Sequence, residues 1–166
     1  ILSTATKRGI EIGDLADRSV SLMATLNTPG AGLGRAGLVK GGTDVTGFGI
    51  LGHLGSLARE SGVTALLRSG QVPAIDPRVL ELIDEGCVPG GTRANLKAAT
   101  TTSFAEDVPE SMRLLLADAQ TSGGLLLAVS PTNLDQVLAL LGEEGAPCAE
   151  VIGEMSEPGP NAIEVH

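Results

Sequence analysis

Apolar positions along the chain follow two periods, broken by glycine, proline and short polar clusters. Behind Asp14, the residues Leu15, Leu22, Met23 and Leu26 recur at helical spacing. They predict a helix from Asp14 to about Asn27 with a stripe for a core, Asp14 as its cap and Asp17 placed as in a capping box. Pro29-Gly30 stops it, and Gly30–Gly37 reads as a glycine- and alanine-rich connector. Leu38-Val39 opens a short strand that runs into Gly41–Gly47. A second helix starts near Gly47, carries Phe48, Leu51, Leu54 and Ala58 on one face and ends at Gly62. Val63–Leu67 reads as a strand, and Pro73–Pro77 as a turn whose last proline takes the first position of a helix to Glu85. Pro89-Gly90-Gly91-Thr92 is a second glycine turn before a helical piece at Arg93–Ala98. Thr100–Ser103 is a polar connector, and Pro109–Ala117 is helical. Leu125–Val129 is a strand, Ser130-Pro131 opens a helix through Leu141, and Ala149–Ile152 and Ala162–Val165 close the chain as strands. Strands intermixed with helices define an α/β-type domain, a sheet covered by helices. There is no internal repeat and no low-complexity tract.

With 166 residues, 42% of them hydrophobic and 19% charged, the chain suits one domain, or two small ones, with a sizeable core. A mean hydropathy of +0.23 argues against disorder. The longest apolar run, Leu125–Val129, is strand-sized, so no membrane partner is expected. Ile1–Arg8 lacks the layout of a secretory signal, has no initiator methionine and begins in mid-pattern, as a piece of a longer protein would. With 20 acidic against 11 basic residues, a net charge of −9, no Trp or Tyr and 2 Phe, nucleic acid is not an expected partner. Cys87 and Cys148 are too few and too far apart for a disulfide framework or a zinc site, and read as reduced thiols of a cytoplasmic protein. Neither has a basic neighbour in sequence that would mark a nucleophile.

Three glycine-rich segments sit at strand or helix ends. In Thr43-Asp44-Val45-Thr46-Gly47-Phe48-Gly49, a carboxylate closes a strand just before glycines open a helix. Unpaired N–H groups at a helix start favour phosphate, and an adjacent aspartate is compatible with phosphate when Mg²⁺ lies between them. The alternative is that Asp44 caps the helix and the glycines permit close packing, and spacing alone favours that version. The second segment, Pro89–Asn95, offers Thr92 and Arg93, or is an ordinary Pro-Gly turn. In the third, Gln120-Thr121-Ser122-Gly123-Gly124, an amide and two hydroxyls either line a cleft or satisfy their own turn. His53 falls within two turns of the glycine-started helix, as a base or supporting group near Asp44 or as a partly exposed helix histidine. No G-x-S-x-G elbow, Walker-type loop or G-x-G-x-x-G fingerprint is present.

Taken together, Thr43–Leu54, Pro89–Asn95 and Asp118–Leu126 resemble, in order, three motifs of the C-terminal half of the selenophosphate synthetases (selenide, water dikinases). Ile1–Gly9, Met23–Asn27 and Ile152-Gly153-Glu154 fit as well, so the resemblance spans nearly the whole chain. It departs at Ala119, where the family usually has proline, and at Lys40-Gly41-Gly42, a less apolar entry to the first motif.

The resemblance implies an α/β (α+β type) fold of the aminoimidazole-ribonucleotide-synthetase superfamily, a mixed sheet covered by helices. Residues 1–166 would be the C-terminal domain of a two-domain, cytoplasmic enzyme, homodimeric at full length. That enzyme turns ATP, selenide and water into selenophosphate, AMP and orthophosphate with Mg²⁺, in a cleft between the domains. The reactive cysteine or selenocysteine, the essential lysine and most metal ligands would belong to the N-terminal domain, leaving no catalytic residue in this chain and an inactive fragment. By motif position, Asp44 corresponds to the one metal-ligating aspartate of the C-terminal domain, which reverses the preference from spacing. Thr43, Thr46, Gly47, Gly49, His53, Thr92, Asn95, Gln120, Thr121, Ser122 and Gly123 would line the phosphate side of the cleft. A sister enzyme (thiamine-monophosphate-kinase-like or hydrogenase-maturation-like) or a stand-alone binding module are the alternative readings.

Overall fold

The computed structural model describes residues 1–166. Its elements in chain order are α1 (Leu2–Lys7), α2 (Leu15–Ala24), α3 (Thr28–Arg35), β1 (Val39–Asp44), α4 (Gly49–Ser61), β2 (Thr64–Leu67), α5 (Arg78–Asp84), α6 (Gly90–Ala98), β3 (Thr102–Phe104), α7 (Glu110–Leu116), β4 (Leu125–Val129), α8 (Leu134–Glu143), β5 (Gly153–Ser156) and β6 (Ile163–Val165). The strands form two sheets. β1 and β4 make an antiparallel two-stranded ribbon, with Asp44 opposite Leu125 and a register shift between Val39 and Gly41. The other sheet is mixed, in the order β3-β6-β2-β5, with β6 parallel to both β3 and β2, and β5 antiparallel to β2. The architecture is mixed α/β with helix cover, as the sequence pattern implies.

α4 is the central helix. Leu51, Leu54 and Ala58, on its buried face, join Ala65 and Leu67 of β2, Ile163 and Val165 of β6, and Val45, Leu116 and Leu126 in one core. Gly62 ends α4 at φ +65°, a left-handed cap that costs glycine nothing. A second core joins Ile1 and Ala5 to Val79, Leu82 and Ile83 of α5, Cys87, and Leu114 of α7. Leu67 and Leu82 are fully buried, and each such leucine contributes on the order of 1.5–3 kcal/mol. No helix is long and apolar enough to cross a membrane.

Several sequence expectations are corrected. Gly30–Gly37 is not a connector: α3 occupies Thr28–Arg35, with Pro29 in its first turn. One of its glycines, Gly30, faces the Leu125 side chain of the ribbon, and Leu33 is buried. The second Gly-Gly pair likewise lies inside the first turn of α6, not ahead of it. Within Thr100–Ser103, expected as a connector, Thr102 opens β3 (Thr102–Phe104), which pairs with β6, and the strand expected at Ala149–Ile152 lies instead at Gly153–Ser156. The helix behind Asp14 ends at Ala24, and Asp14, in helical conformation, makes no side-chain cap bond. Of its expected core stripe only Leu15 is buried; Leu22, Met23 and Leu26 are exposed, as is Phe48 ahead of α4.

Besides Leu15, α2 is tied to the turn ahead of α5 by a polar pair. Arg18 donates to the Asp76 carboxylate at 3.0 Å and to the Ile75 carbonyl at 2.7 Å. The Arg78 backbone N–H, and then the Arg18 guanidinium, lower the Asp76 carboxyl below its ordinary value. A carboxylate lowered by folding contributes stability above its unfolded value and loses it as pH falls through the lowered one. Amide protection of α2, corrected for intrinsic exchange, is therefore expected to hold from pH 7 down to about 4 and to fall only below that. Protection already lost at pH 6 would show that Asp76 is not the tether.

Candidate functional site

The first and third glycine segments meet as paired backbone. β1 ends at Asp44, and beyond it the Val45 N–H donates to the Gly124 carbonyl and the Gly123 N–H to the Val45 carbonyl, both at 2.9 Å. The Thr46 carbonyl then accepts from the Gln120 N–H at 3.1 Å and the Gly49 N–H at 3.0 Å. Two glycines make this approach possible. A Cβ on Gly123 would collide with the Val45 carbonyl oxygen, and one on Gly49 would come within 2.7 Å of the Ala117 carbonyl carbon. Gly49 also sits at φ +65°, where a side chain is strained whatever the space.

The second segment completes the junction from α6. Asn95 donates one amide nitrogen to the carbonyls of Gly47 at 2.9 Å and Ala117 at 3.1 Å, bridging the first segment and the end of α7, just ahead of the third motif. One turn earlier, the fully buried Thr92 donates its hydroxyl to Asp118 at 2.6 Å. The other Asp118 oxygen accepts from the Ile1 backbone nitrogen and from the Gln120 side chain, each at 3.3 Å. Asn27, after α2, donates to the Gly123 carbonyl at 3.3 Å. The three motifs, far apart in sequence, thus form one cluster at the end of the ribbon.

Within it the residues divide by what their polar atoms do. His53 Nε2 accepts from the Thr46 backbone N–H, with the Thr46 hydroxyl also 3.0 Å away. That nitrogen therefore carries no hydrogen, the ring N–H lies at Nδ1, and His53 acts as a latch on the loop. Thr92 and Asn95 spend their polar atoms on the frame, and the Gln120 amide bends back to Asp118. Thr43 donates to the Asp44 carbonyl. Gly47, Thr121 and the Asp44 carboxylate are exposed, Ser122 partly so. Asp44 accepts no hydrogen bond and forms no ion pair through its side chain, so it does not cap α4. Its carboxylate is available on a backbone fixed from both sides.

Asp118 is the residue that sequence reasoning missed. It lies inside the third motif, but nothing in its spacing announces Thr92 or Ile1 as partners. The cysteines lie elsewhere. Cys87 is buried in the second core, where Arg8, 79 residues away in sequence, donates to its sulfur at 3.8 Å. Cys148 is exposed, its thiol raised by partial burial and by Glu150. No group of three or more His, Cys, Asp or Glu side chains comes together as a metal site, so Asp44 offers a cation one carboxylate and no cage.

Residues 5–166 match the family of AIR synthase related proteins, C-terminal domain, and the chain belongs to that family. Within it, the chain is 42% identical over 165 residues to the selenide, water dikinase of Bordetella bronchiseptica, covering 99% of this chain and 47% of that protein. It is 42% identical over 166 residues to the selenide, water dikinase of Pseudomonas putida, with 99% and 47% covered. The one of Pelobacter propionicus is 40% identical over 158 residues, with 95% and 45% covered. The chain thus spans about half the length of the curated relatives it matches. The solved structure of T. maritima PurL complexed with FGAR shares the fold, at a TM-score of 0.50 and 15% identity over 78% of this chain and 16% of that one.

Three substitutions test this geometry. Asp118→Ala strands the buried Thr92 hydroxyl and is expected to cost about 1–3 kcal/mol, read as a lower urea midpoint at unchanged slope. Asp118→Asn should cost less, because the Thr92 hydroxyl can turn and accept from the new amide; equal losses would refute that accounting. Gly49→Ala adds the left-handed penalty of about 1–2 kcal/mol to overpacking of about 1–3 kcal/mol. A loss of only about 1–2 kcal/mol, the left-handed penalty alone, would mean that the Gly49–Ala117 approach relaxes freely.

Proposed function

We propose that this chain is the C-terminal domain of a two-domain selenide, water dikinase that converts ATP, selenide and water to selenophosphate, AMP and orthophosphate. Support comes from 42% identity to enzymes of that name across 99% of the chain, and from a family whose description is itself that of a C-terminal domain. The observation that carries the reading is Asp44: an unpaired, exposed carboxylate on a loop whose backbone is locked to Gly124, Gln120 and His53.

In the proposed role, Asp44 holds one side of a Mg²⁺ ion shared with the triphosphate, and the remaining ligands come from the N-terminal domain. When bound, Mg²⁺ would offset the charge on the transferred phosphoryl oxygens. The protein's own part is positional. His53 and Gln120 fix the height of the Thr46 peptide, the β1–β4 pairing fixes the direction of Asp44, and Asn95 keeps α6 against both loops. Thr43, Gly47, Thr121 and Ser122 are the cluster's candidates for contact with phosphate, while Thr46, Gly49, His53, Thr92, Asn95, Gln120 and Gly123 shape the loops that carry them. With a net charge of −9, the domain gains from a cation wherever phosphate approaches. The free thiols suit a reducing, cytoplasmic setting.

The full-length polypeptide followed by phosphorus NMR tests this. Selenide-dependent AMP release and a phosphorus–selenium signal are expected, both falling on the order of 100-fold or more in Asp44→Asn. The folding stability of that variant should stay within about 0.5 kcal/mol of the parent, since the side chain holds nothing in place. ATP turnover indifferent to selenide would point to a sister kinase. Full activity in Asp44→Asn would remove Asp44 from the metal.

A further inference from the structure

Phe48 breaks the local rule for its position. The Gly49 N–H donates to the Thr46 carbonyl at 3.0 Å, so Thr46–Gly49 is a turn with Phe48 as its third residue. Turns of this kind favour glycine and small polar residues, and Gly47 and Gly49 flank the ring on either side. Phe48 is 67% exposed. The chain has 2 Phe and no Trp or Tyr, so aromatic side chains are scarce. The other, Phe104, packs against the main core, with the Arg113 guanidinium over its ring at 4.9 Å. Phe48 is the one aromatic ring that the fold does not use.

Its place is nevertheless prepared. A Cβ on Gly52, in the first turn of α4, would run into the Phe48 Cβ, so glycine leaves the room in which Phe48 sits. The His53 imidazole lies 5.9 Å from the Phe48 ring, centre to centre, at a tilt of 48°. The same imidazole takes the Thr46 N–H, and Thr46 is two residues beyond Asp44. One side chain thus supports both the loop of the unpaired carboxylate and the exposed ring at the head of α4.

The proposed reaction has a use for an apolar side chain at this place. When ATP becomes AMP, two phosphoryl groups leave it, and two acceptors stand ready. In one transfer hydrogenselenide attacks phosphorus: a Se–P bond forms, the P–O bond to the nucleotide breaks with its electron pair on the leaving oxygen, and the selenium proton goes to solvent. In the other, water adds to phosphorus and loses a proton, giving orthophosphate. Water is far the more abundant acceptor, so a site open to solvent would lose both groups to it. Hydrogenselenide is large, polarisable and weakly hydrated, and gives up less than water does against an apolar wall. Excluding water from one transfer therefore decides the acceptor.

We propose that Phe48 is a specificity-determining residue, whose ring shields the phosphoryl group bound for selenium so that hydrogenselenide and not water accepts it. This rests on reading the full-length polypeptide as a selenide, water dikinase.

The test is the yield of selenophosphate per AMP, followed by phosphorus NMR in the full-length polypeptide without oxygen. The parent is expected to give about one, and Phe48→Ala at least about threefold less, because water then takes both groups. Without selenide, Phe48→Ala should release AMP at least about threefold faster than the parent. Phe48→Leu keeps an apolar wall and should hold its yield within about 1.5-fold of the parent. A product ratio does not depend on how much of the protein is folded. Amide protection in α4 and β2 should also be unchanged, since the exposed ring belongs to neither core. AMP and selenophosphate falling together at a constant ratio would overturn the proposal, because the ring would then serve only to pack. So would a Phe48→Leu yield as low as that of Phe48→Ala. A parent that releases AMP but no selenophosphate would remove the selenide reading, and this inference with it. A parent yield of about one, matched by Phe48→Ala, would retire the inference alone.

Discussion

A carboxylate with the burial of Asp118 is tolerated because donors converge on it from both sides: the Thr92 hydroxyl in α6 and the side-chain amide of Gln120. Each is useful elsewhere as well. Thr92 lies one turn before Asn95, which holds Gly47 and Ala117, and Gln120 contributes its backbone N–H to Thr46. One buried charge therefore ties the second glycine segment to the third, and Asn95 carries the link on to the first. The segments themselves have little to pack, being mostly glycine and small polar residues. Hydrogen bonds, more than apolar burial, hold that end of the molecule together.

That division has a chemical consequence. Loops held by apolar packing hide their side chains, whereas these loops are held through backbone and leave selected side chains over. Asp44 is left over in this sense: its peptide is fixed by the ribbon on one side and by the Val45 and Thr46 backbone bonds on the other, and its carboxylate bonds to nothing. His53 serves the same end from the other side. Its ring takes the Thr46 N–H and so ties the loop that carries Asp44 to the second turn of α4.

How much of this could be read from the sequence depended on whether the information was local. α4 was legible because Leu51, Leu54 and Ala58 repeat at helical period and Gly62 supplies the left-handed cap. α3 was not. Each interior glycine counts about 1 kcal/mol against a helix, and only contacts such as Gly30 with Leu125 outweigh that. β3 was missed for a similar reason: Thr102–Phe104 is a strand because β6 lies beside it. At the site, the three motifs could be set in order through their family resemblance, and their convergence is what the fold supplies. The Thr92–Asp118 bond spans 26 residues and the Ile1–Asp118 contact 117, and no spacing rule reaches either.

The misreading of α2 is of another kind. Its periodicity correctly marked an apolar face, but periodicity says that a face wants cover, not which surface covers it. Within residues 1–166 the cover stops after Leu15, and the rest of the stripe is left exposed. The same end of the molecule offers one unpaired carboxylate where a cation needs several ligands.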